Sequence, residues 1–309
     1  MNWKKIGLIF TPISDLNWMK THCQQPVPYH VKDNIYRIYF ASRNEKQYSQ
    51  VGFFEYNIES LKVLNYSTKP IITVGGLGTF DEHGVYPSSL IKRNGKLYMY
   101  YIGWNKAHET DLFYTAIGLA TSEDDGLTFK KYSQGPILDR GIYDPCFVSG
   151  PQVFRNQESE KLIMFYISCF KWQRESSGKL RSFYHLKSCL SVDGVNWNRK
   201  GKVILELEKK NERDISRCSV IFEKGEYHMW YSYNSLDNPY KIGYAVSKDS
   251  LSWKRKDYLN CINKSFDWFD DEMNCYPFVF QHNDSIYMLY NGNNYGKDGI
   301  ILSKMNKND

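Results

Sequence analysis

One short unit is written five times along this chain, at intervals of about sixty residues, and nothing else in the sequence narrows the fold as much. Each copy opens with a strand-like segment: Gln25-Pro26-Val27-Pro28-Tyr29, Tyr86-Pro87-Ser88-Ser89-Leu90, Gly150-Pro151-Gln152-Val153-Phe154, Arg217-Cys218-Ser219-Val220-Ile221 and Tyr276-Pro277-Phe278-Val279-Phe280. Four of the five carry Pro at the second position. That suits the beginning of a strand, where a missing N–H costs little.

An aromatic strand follows each marker, after a turn such as Arg93-Asn94-Gly95-Lys96 or Glu223-Lys224-Gly225-Glu226, both good hairpin chemistry. These second strands read Ile35-Tyr36-Arg37-Ile38-Tyr39, Leu97-Tyr98-Met99-Tyr100-Tyr101, Leu162-Ile163-Met164-Phe165-Tyr166, Tyr227-His228-Met229-Trp230-Tyr231 and Ile286-Tyr287-Met288-Leu289-Tyr290. A third strand comes next, as at 117–122 and 242–247. Three copies then turn through Ser-x-Asp and reach an aromatic: Ser122, Asp124 and Phe129; Ser191, Asp193 and Trp197; Ser247, Asp249 and Trp253. An Asp that closes its own turn over an aromatic is scaffold, not a calcium or catalytic site.

The fifth copy stops at Ser303, short of a fourth strand. The missing strand is at the other end of the chain. Asn2-Trp3-Lys4-Lys5-Ile6-Gly7-Leu8-Ile9-Phe10 resembles Asn196-Trp197-Asn198-Arg199-Lys200-Gly201-Lys202-Val203-Ile204-Leu205, which has the place of a fourth strand in the third copy. Closing the ring this way removes an exposed edge. The expectation is an all-β, five-bladed β-propeller spanning 1–309 as one domain. Its blades fall near 20–66, 80–137, 144–207, 212–262 and 268–303 plus 3–10.

Aromatic residues are abundant, with 25 Tyr, 17 Phe and 8 Trp, which favours strands and also suits surfaces that stack on sugars. The net charge of +6 is spread thinly. Its densest run is Lys254-Arg255-Lys256, so there is no clustered nucleic-acid footprint. The cysteines at 23, 146, 169, 189, 218, 261 and 275 form no C-x-x-C pair, and the seven His show no paired spacing. Neither a disulfide framework, a metal site nor a cofactor is expected. The N-terminus has too short an apolar run for a signal peptide and no stretch reaches membrane-spanning length, so a cytoplasmic location is expected.

In a propeller the first strand of each blade lines a central channel, and the loops entering those strands gather at one mouth. The polar residues there are His22, Gln24 and Gln25; Asp81, Glu82 and His83; Asp144; Asp214 and Arg217; and Asp270, Asp271 and Glu272 from the acidic run that opens at Asp267. Trp104, Trp172, Tyr86, Tyr276 and Trp268 are candidate aromatic walls. Carboxylates between aromatic faces are what glycosidic chemistry requires: one acid protonates the leaving oxygen and a second carboxylate activates water or attacks. An Arg such as Arg217 can hold a carboxylate or phosphate. His185 and Lys187 alternate on a strand and can share an anionic group. Gly75-Gly76-Leu77-Gly78 has no helix after it and reads as a turn, not a phosphate cradle.

The segments Phe80-Asp81-Glu82-His83-Gly84-Val85-Tyr86-Pro87-Ser88, Tyr100-Tyr101-Ile102-Gly103-Trp104, Tyr184-His185-Leu186-Lys187, Met229-Trp230-Tyr231-Ser232-Tyr233 and Asp271-Glu272-Met273-Asn274-Cys275-Tyr276-Pro277, with Tyr290-Asn291-Gly292-Asn293 and Tyr295-Gly296, carry a resemblance. The chain resembles the propeller superfamily of arabinanases, invertases, levansucrases and mannoside phosphorylases, and within it a bacterial glycosidase-like branch associated with surface-polysaccharide synthesis. The resemblance implies a carbohydrate-active enzyme. Glu272 would be the general acid and Asp81 the second carboxylate, supported by Asp144, Asp214 and Arg217. His83, Gln24, Gln25, Trp104, Trp172, His185, Lys187, Tyr276 and Asn291 would contact a carbohydrate, sugar-phosphate or nucleotide-sugar substrate. Hydrolases of the superfamily carry a catalytic Asp on the first blade's channel strand; here that window reads His22-Cys23-Gln24-Gln25-Pro26, and Gln cannot act as a base. A glycosyltransferase or phosphorylase needs no carboxylate there, because acceptor or phosphate supplies the nucleophile. A non-catalytic glycan-binding propeller is the third reading.

Overall fold

The computed structural model describes residues 1–107, 112–157, 159–208, 211–259, 262, 264–266 and 268–306; Cys261 and Asp267 lie outside these. The strands run in chain order. First come β1 (Lys4–Phe10), β2 (Thr21–Lys32), β3 (Ile35–Arg43), β4 (Ser49–Asn57) and β5 (Lys62–Tyr66). Then come β6 (Gly84–Arg93), β7 (Lys96–Lys106), β8 (Phe113–Ser122) and β9 (Lys130–Lys131). The middle set is β10 (Phe147–Arg155), β11 (Leu162–Arg174), β12 (Leu180–Ser191) and β13 (Asn198–Leu205). The last are β14 (Glu212–Glu223), β15 (Glu226–Ser235), β16 (Lys241–Ser247), β17 (Lys254–Arg255), β18 (Cys275–His282), β19 (Ser285–Asn291) and β20 (Ile300–Asn306). Among the described residues no helix is long and apolar enough to cross a membrane.

The chain forms two compact units. The first holds Met1–Ile71, Cys218–Tyr233 and Asn238–Asp309; the second holds Ile72–Arg217 and Asn234–Asp237. In the first unit β2, β3, β4 and β5 form one antiparallel meander, and β18, β19, β20 and β1 form another. Strand β1 pairs antiparallel with β20, matching Lys4 to Lys304 and Leu8 to Ile301, so the N-terminal strand completes the last blade as the sequence repeat implied. Aromatic burial fixes it there. Phe10 stacks on Phe54 at 4.3 Å between ring centroids, and Trp3 meets Trp230 edge-on at 6.0 Å. Each such side chain contributes ~2–3 kcal/mol on leaving water.

In the second unit β6 to β9 form one antiparallel meander and β10 to β13 the next, around a core of Tyr100, Ile117, Leu119, Val153, Leu162 and Met164. Tyr184 of β12 and Asp214 of β14 make one parallel bridge.

The Pro markers depart from expectation: they lie inside strands rather than at their beginnings. Register shifts fall at Gln24/Val27, Pro87/Ser89, Ser149/Gln152 and Cys275/Phe278. The residue before Pro has positive φ at Gln25 (55°), Gly150 (53°) and Tyr276 (56°). A β-bulge leaves one residue unpaired, so Pro is tolerated mid-strand.

The Ser-x-Asp turns are scaffold in geometry. Ser122, Ser191 and Ser247 hydroxyls donate to Asp124, Asp193 and Asp249 at 2.7–2.9 Å, and each carboxylate also accepts backbone N–H groups of its own turn. Those bonds outweigh desolvation at Asp124 and hold its carboxyl down at about 2.

Candidate active site

Among the described residues, the second strands β7, β11, β15 and β19 each carry a Tyr whose hydroxyl donates to a carboxylate of the same blade. Tyr101 reaches Asp81 at 3.0 Å, Tyr166 reaches Asp144 at 3.3 Å, Tyr231 reaches Asp257 at 2.6 Å and Tyr290 reaches Asp270 at 2.9 Å. A cation from the blade's outermost strand completes each set: Lys131 on Asp81 at 2.6 Å, Arg199 on Asp144 at 2.9 Å, Arg255 on Asp257 at 2.8 Å and Lys5 on Asp270 at 2.6 Å. Burial, then the adjacent carboxylate, pushes the phenols of Tyr101, Tyr166 and Tyr290 up. Each Tyr–Asp–cation set ties the second strand of a blade to its fourth.

The sequence candidates fall differently against these sets. Asp81, 2% exposed, also accepts from Thr79 at 3.0 Å. Asp144 is fully buried and takes Lys187 at 3.3 Å in addition, and Lys187 donates to the Tyr143 carbonyl as well. The structure thus turns Lys187 inward, into this network. Asn291 is buried too. It donates to the carbonyls of Cys23 at 2.7 Å and Gly299 at 2.9 Å and accepts the Gln25 N–H at 2.8 Å, so both amide hydrogens are used by the backbone.

Asp214 differs. It is buried at the bridge to Tyr184, ion-paired to Arg213 at 2.6 Å and hydrogen-bonded by Asn234 and Tyr184. Desolvation nonetheless prevails over Arg213, and its carboxyl is pushed up to about 6. Tyr184 and Arg213 thus give Asp214 a hydroxyl and a cation too, but they come from β12 and from the neighbouring residue of β14, not from a second and an outermost strand as in the four sets above. Nearby on β12, His185 faces Glu206 at 3.4 Å and packs on Phe170, with burial lowering its imidazole. Arg217 is buried and donates to the Ser88 carbonyl at 3.2 Å. His83 meets Glu82 at 3.1 Å and stacks near Trp104, and Trp172 stacks on Tyr114 at 5.2 Å.

In the first unit Glu272 is exposed, and its loop is held by Asn293. The Asn293 side chain accepts the N–H groups of Glu272 at 2.9 Å and Met273 at 3.1 Å and donates to Asp271 at 2.5 Å. Gln24 accepts from Arg43 Nε at 3.0 Å and donates to the Tyr295 carbonyl at 2.9 Å. Tyr295 packs against Tyr276 and Tyr240, each at 6.2 Å, and Tyr240 stands 6.4 Å from Tyr276.

Backbone strain collects at this corner. Of thirteen described non-glycine residues with positive φ, eight (Asp33, Gln47, Leu61, Asn94, Asp125, Lys224, Ser250 and Asn283) lie in turns between strands. The other five are His22 and Gln25 inside β2, Tyr276 inside β18, and Asn294 and Tyr295 in the single helical turn between β19 and β20. Each costs on the order of 1–3 kcal/mol, and such residues cluster where a site demands a set geometry. Sequence reasoning gave no role to Arg43, Tyr240 or Tyr295. Tyr295 belongs to one of the motifs that carry the resemblance, whereas Arg43 is signalled only by hairpin register opposite Thr21.

Residues 20–209 match the profile of the glycosyl hydrolases family 32 N-terminal domain. A protein of Mycobacterium tuberculosis, "Uncharacterized protein MT1551", is 32% identical over 304 residues, 98% of this chain and 99% of that one. Among solved structures, one described as a glycoside hydrolase is similar with a TM-score of 0.74 at 18% identity, covering 97% of this chain and 90% of its own. Beta-1,2-mannobiose phosphorylase from Listeria innocua, in complex with β-1,2-mannobiose, follows the whole of this chain and 98% of its own, with a TM-score of 0.71 at 11% identity. At these identities the structures speak for the fold, a glycoside-hydrolase-like β-propeller. With more than half of its length matched, the chain belongs to the family of the glycosyl hydrolases family 32 N-terminal domain.

Proposed function

We propose that the protein is a carbohydrate-active enzyme working at a glycosidic or glycosyl-phosphate bond, with Asp214 as its general acid. What supports the reading is the burial of Asp214, which pushes its carboxyl up despite the Arg213 beside it. A carboxyl poised near neutrality keeps a proton to give and remains a competent base afterwards, the property proton transfer to a leaving oxygen demands. Asp81 and Asp144 are assigned to holding their blades, since each joins a Tyr hydroxyl of the second strand to a cation of the outermost strand; Asp214 also takes a Tyr hydroxyl and Arg213, but there burial prevails over both. Glu272 is exposed on a loop that Asn293 fixes through the backbone, which leaves its carboxylate for a ligand rather than for proton donation.

The test uses leaving groups. An Asp214→Asn variant should lose roughly 10²–10⁴-fold on unactivated oligosaccharides and far less on aryl glycosides, whose leaving oxygens need no proton. Undiminished turnover of the unactivated substrates would sink the assignment.

Transfer or phosphorolysis is the reading we favour over hydrolysis for the bond-breaking step. Support comes from the first blade: the window of the hydrolases' Asp holds Gln24, bonded to Arg43 and Tyr295, and no carboxylate. Cleavage that requires added phosphate or an acceptor sugar supports it. Equal cleavage in water alone refutes it, and sugar binding without turnover under all conditions would make the propeller a binding module.

A further inference from the structure

At the corner of the first unit around Arg43 the positive charges of Arg43 and Lys297 both act on His22. His22 records that charge: burial, then Arg43, then Lys297 press its imidazole from the ordinary 6.5 down to about 4, so the ring is neutral in neutral solution. Its Nδ1 meets the Thr21 hydroxyl at 2.9 Å, and it bonds the backbone of Asn294. Among the described residues neither Arg43 nor Lys297 meets a carboxylate within ion-pair distance. Arg43 directs its Nε to Gln24, and Gln24 in turn grips the Tyr295 carbonyl. Cation and aromatic rings are therefore linked through one side chain.

Tyr295 is 41% exposed and its ring lies at 28° to that of Tyr276, both on residues forced into left-handed backbone. Gln25, 9% exposed, has a side-chain oxygen with no partner among the described residues. A buried acceptor of this kind costs stability unless a donor arrives. Aromatic faces take the apolar face of a sugar ring, a guanidinium takes an oxyanion through paired N–H groups, and an orphan amide oxygen takes a hydroxyl.

We infer that this corner binds an acidic sugar residue, a ring bearing a carboxylate or phosphoryl group, with Arg43 and Lys297 on the charge, Tyr276 and Tyr295 on the ring and Gln25 on a hydroxyl. The inference rests on the carbohydrate-active reading above but requires no catalysis. It deepens that reading by giving the substrate class a charge.

The experiment is calorimetric titration of the full chain with uronates and sugar 6-phosphates of the gluco, galacto and manno series. The neutral parent sugars and inorganic phosphate are titrated alongside. At least one acidic sugar should bind tenfold or more tightly than its parent; whether the uronate or the phosphate does so identifies the anion. Arg43→Met should abolish that preference, and Lys297→Met, at an exposed position, should weaken it several-fold in a protein of unchanged melting temperature. Equal binding of acidic and neutral sugars overturns the inference, as does inorganic phosphate binding as tightly as any sugar phosphate or a preference that survives both substitutions. Repeating the titration with Asp214→Asn separates the two readings, because acidic-sugar binding persists there even if turnover is never seen.

Discussion

Replacing Asp214 with Asn tests the environment of that carboxyl without reference to any substrate. Its folded-state value of about 6 lies above the ~3.9 of an unfolded Asp, so the native protein holds this proton more tightly than the unfolded chain. The sign follows. The associated stability is fully present below about pH 4 and is lost as pH rises to about 6 and beyond, because the ionised form is the one that burial penalises. A gap of ~2 pK units corresponds to about 3 kcal/mol. Asn carries no titrating proton, so wild-type stability should fall relative to the variant by about that amount between pH 4 and pH 7. Urea unfolding of both proteins across this range reads the difference directly. If the two stability profiles run parallel from pH 4 to pH 7, Asp214 ionises as an ordinary carboxyl, and its selection as general acid loses its basis.

The blade locks give a second expectation: Asp81→Ala should cost about 3 kcal/mol, the lower end for breaking a buried ion pair because Lys131 is about a quarter exposed, and its activity should follow the folded fraction measured by circular dichroism. Tyr101→Phe removes one hydrogen bond from the same carboxylate and should cost ~1–2 kcal/mol in a thermal melt. Gly52→Ala puts a Cβ 2.1 Å from Trp18 and 2.6 Å from the Ser67 hydroxyl, so a loss of ~1–3 kcal/mol is expected, read in a thermal melt. Deletion of residues 1–10 uncovers the edge of β20 and removes Trp3 and Phe10 from the core; the shortened chain should lose ~5 kcal/mol and aggregate on size-exclusion chromatography.

The blade order was legible because its signals are local: hairpin turns, alternating aromatics and a Pro marker repeat within each unit. Even closure could be read, since Asn2-Trp3 echoes Asn196-Trp197 in composition. What the Pro residues do was misplaced, because a bulge shifts register without changing the hydrophobic alternation on which strand boundaries are judged. The locks illustrate the limit more sharply. Tyr39, Tyr101, Tyr166, Tyr231 and Tyr290 recur at one position, but the acid comes from the loop before the first strand at Asp81, Asp144 and Asp270 and from beyond the fourth at Asp257. Three of these acids precede their Tyr by 20–22 residues, whereas Asp257 follows Tyr231 by 26, so the spacing alone does not mark all four. These carboxylates therefore looked alike in sequence, and Asp214 is set apart by burial, which prevails there over its Arg213 partner. Arg43 was hidden for a similar reason: it sits opposite Thr21 only after the bulges of β2 are counted.

The pairing of β1 with β20 also sets a clock on biosynthesis. Lys4 is synthesised 300 residues ahead of its partner Lys304 (304 − 4), and at ordinary elongation rates that wait is on the order of tens of seconds. Throughout the interval the edge of β1 that pairs with β20 has no sheet partner, even though Phe10 can already pack on Phe54, which makes the segment a target for chaperones before the blade closes. A premature stop upstream of Ile300 leaves β1 with no strand to join, so shortened translation products of this protein are expected to be cleared by proteolysis.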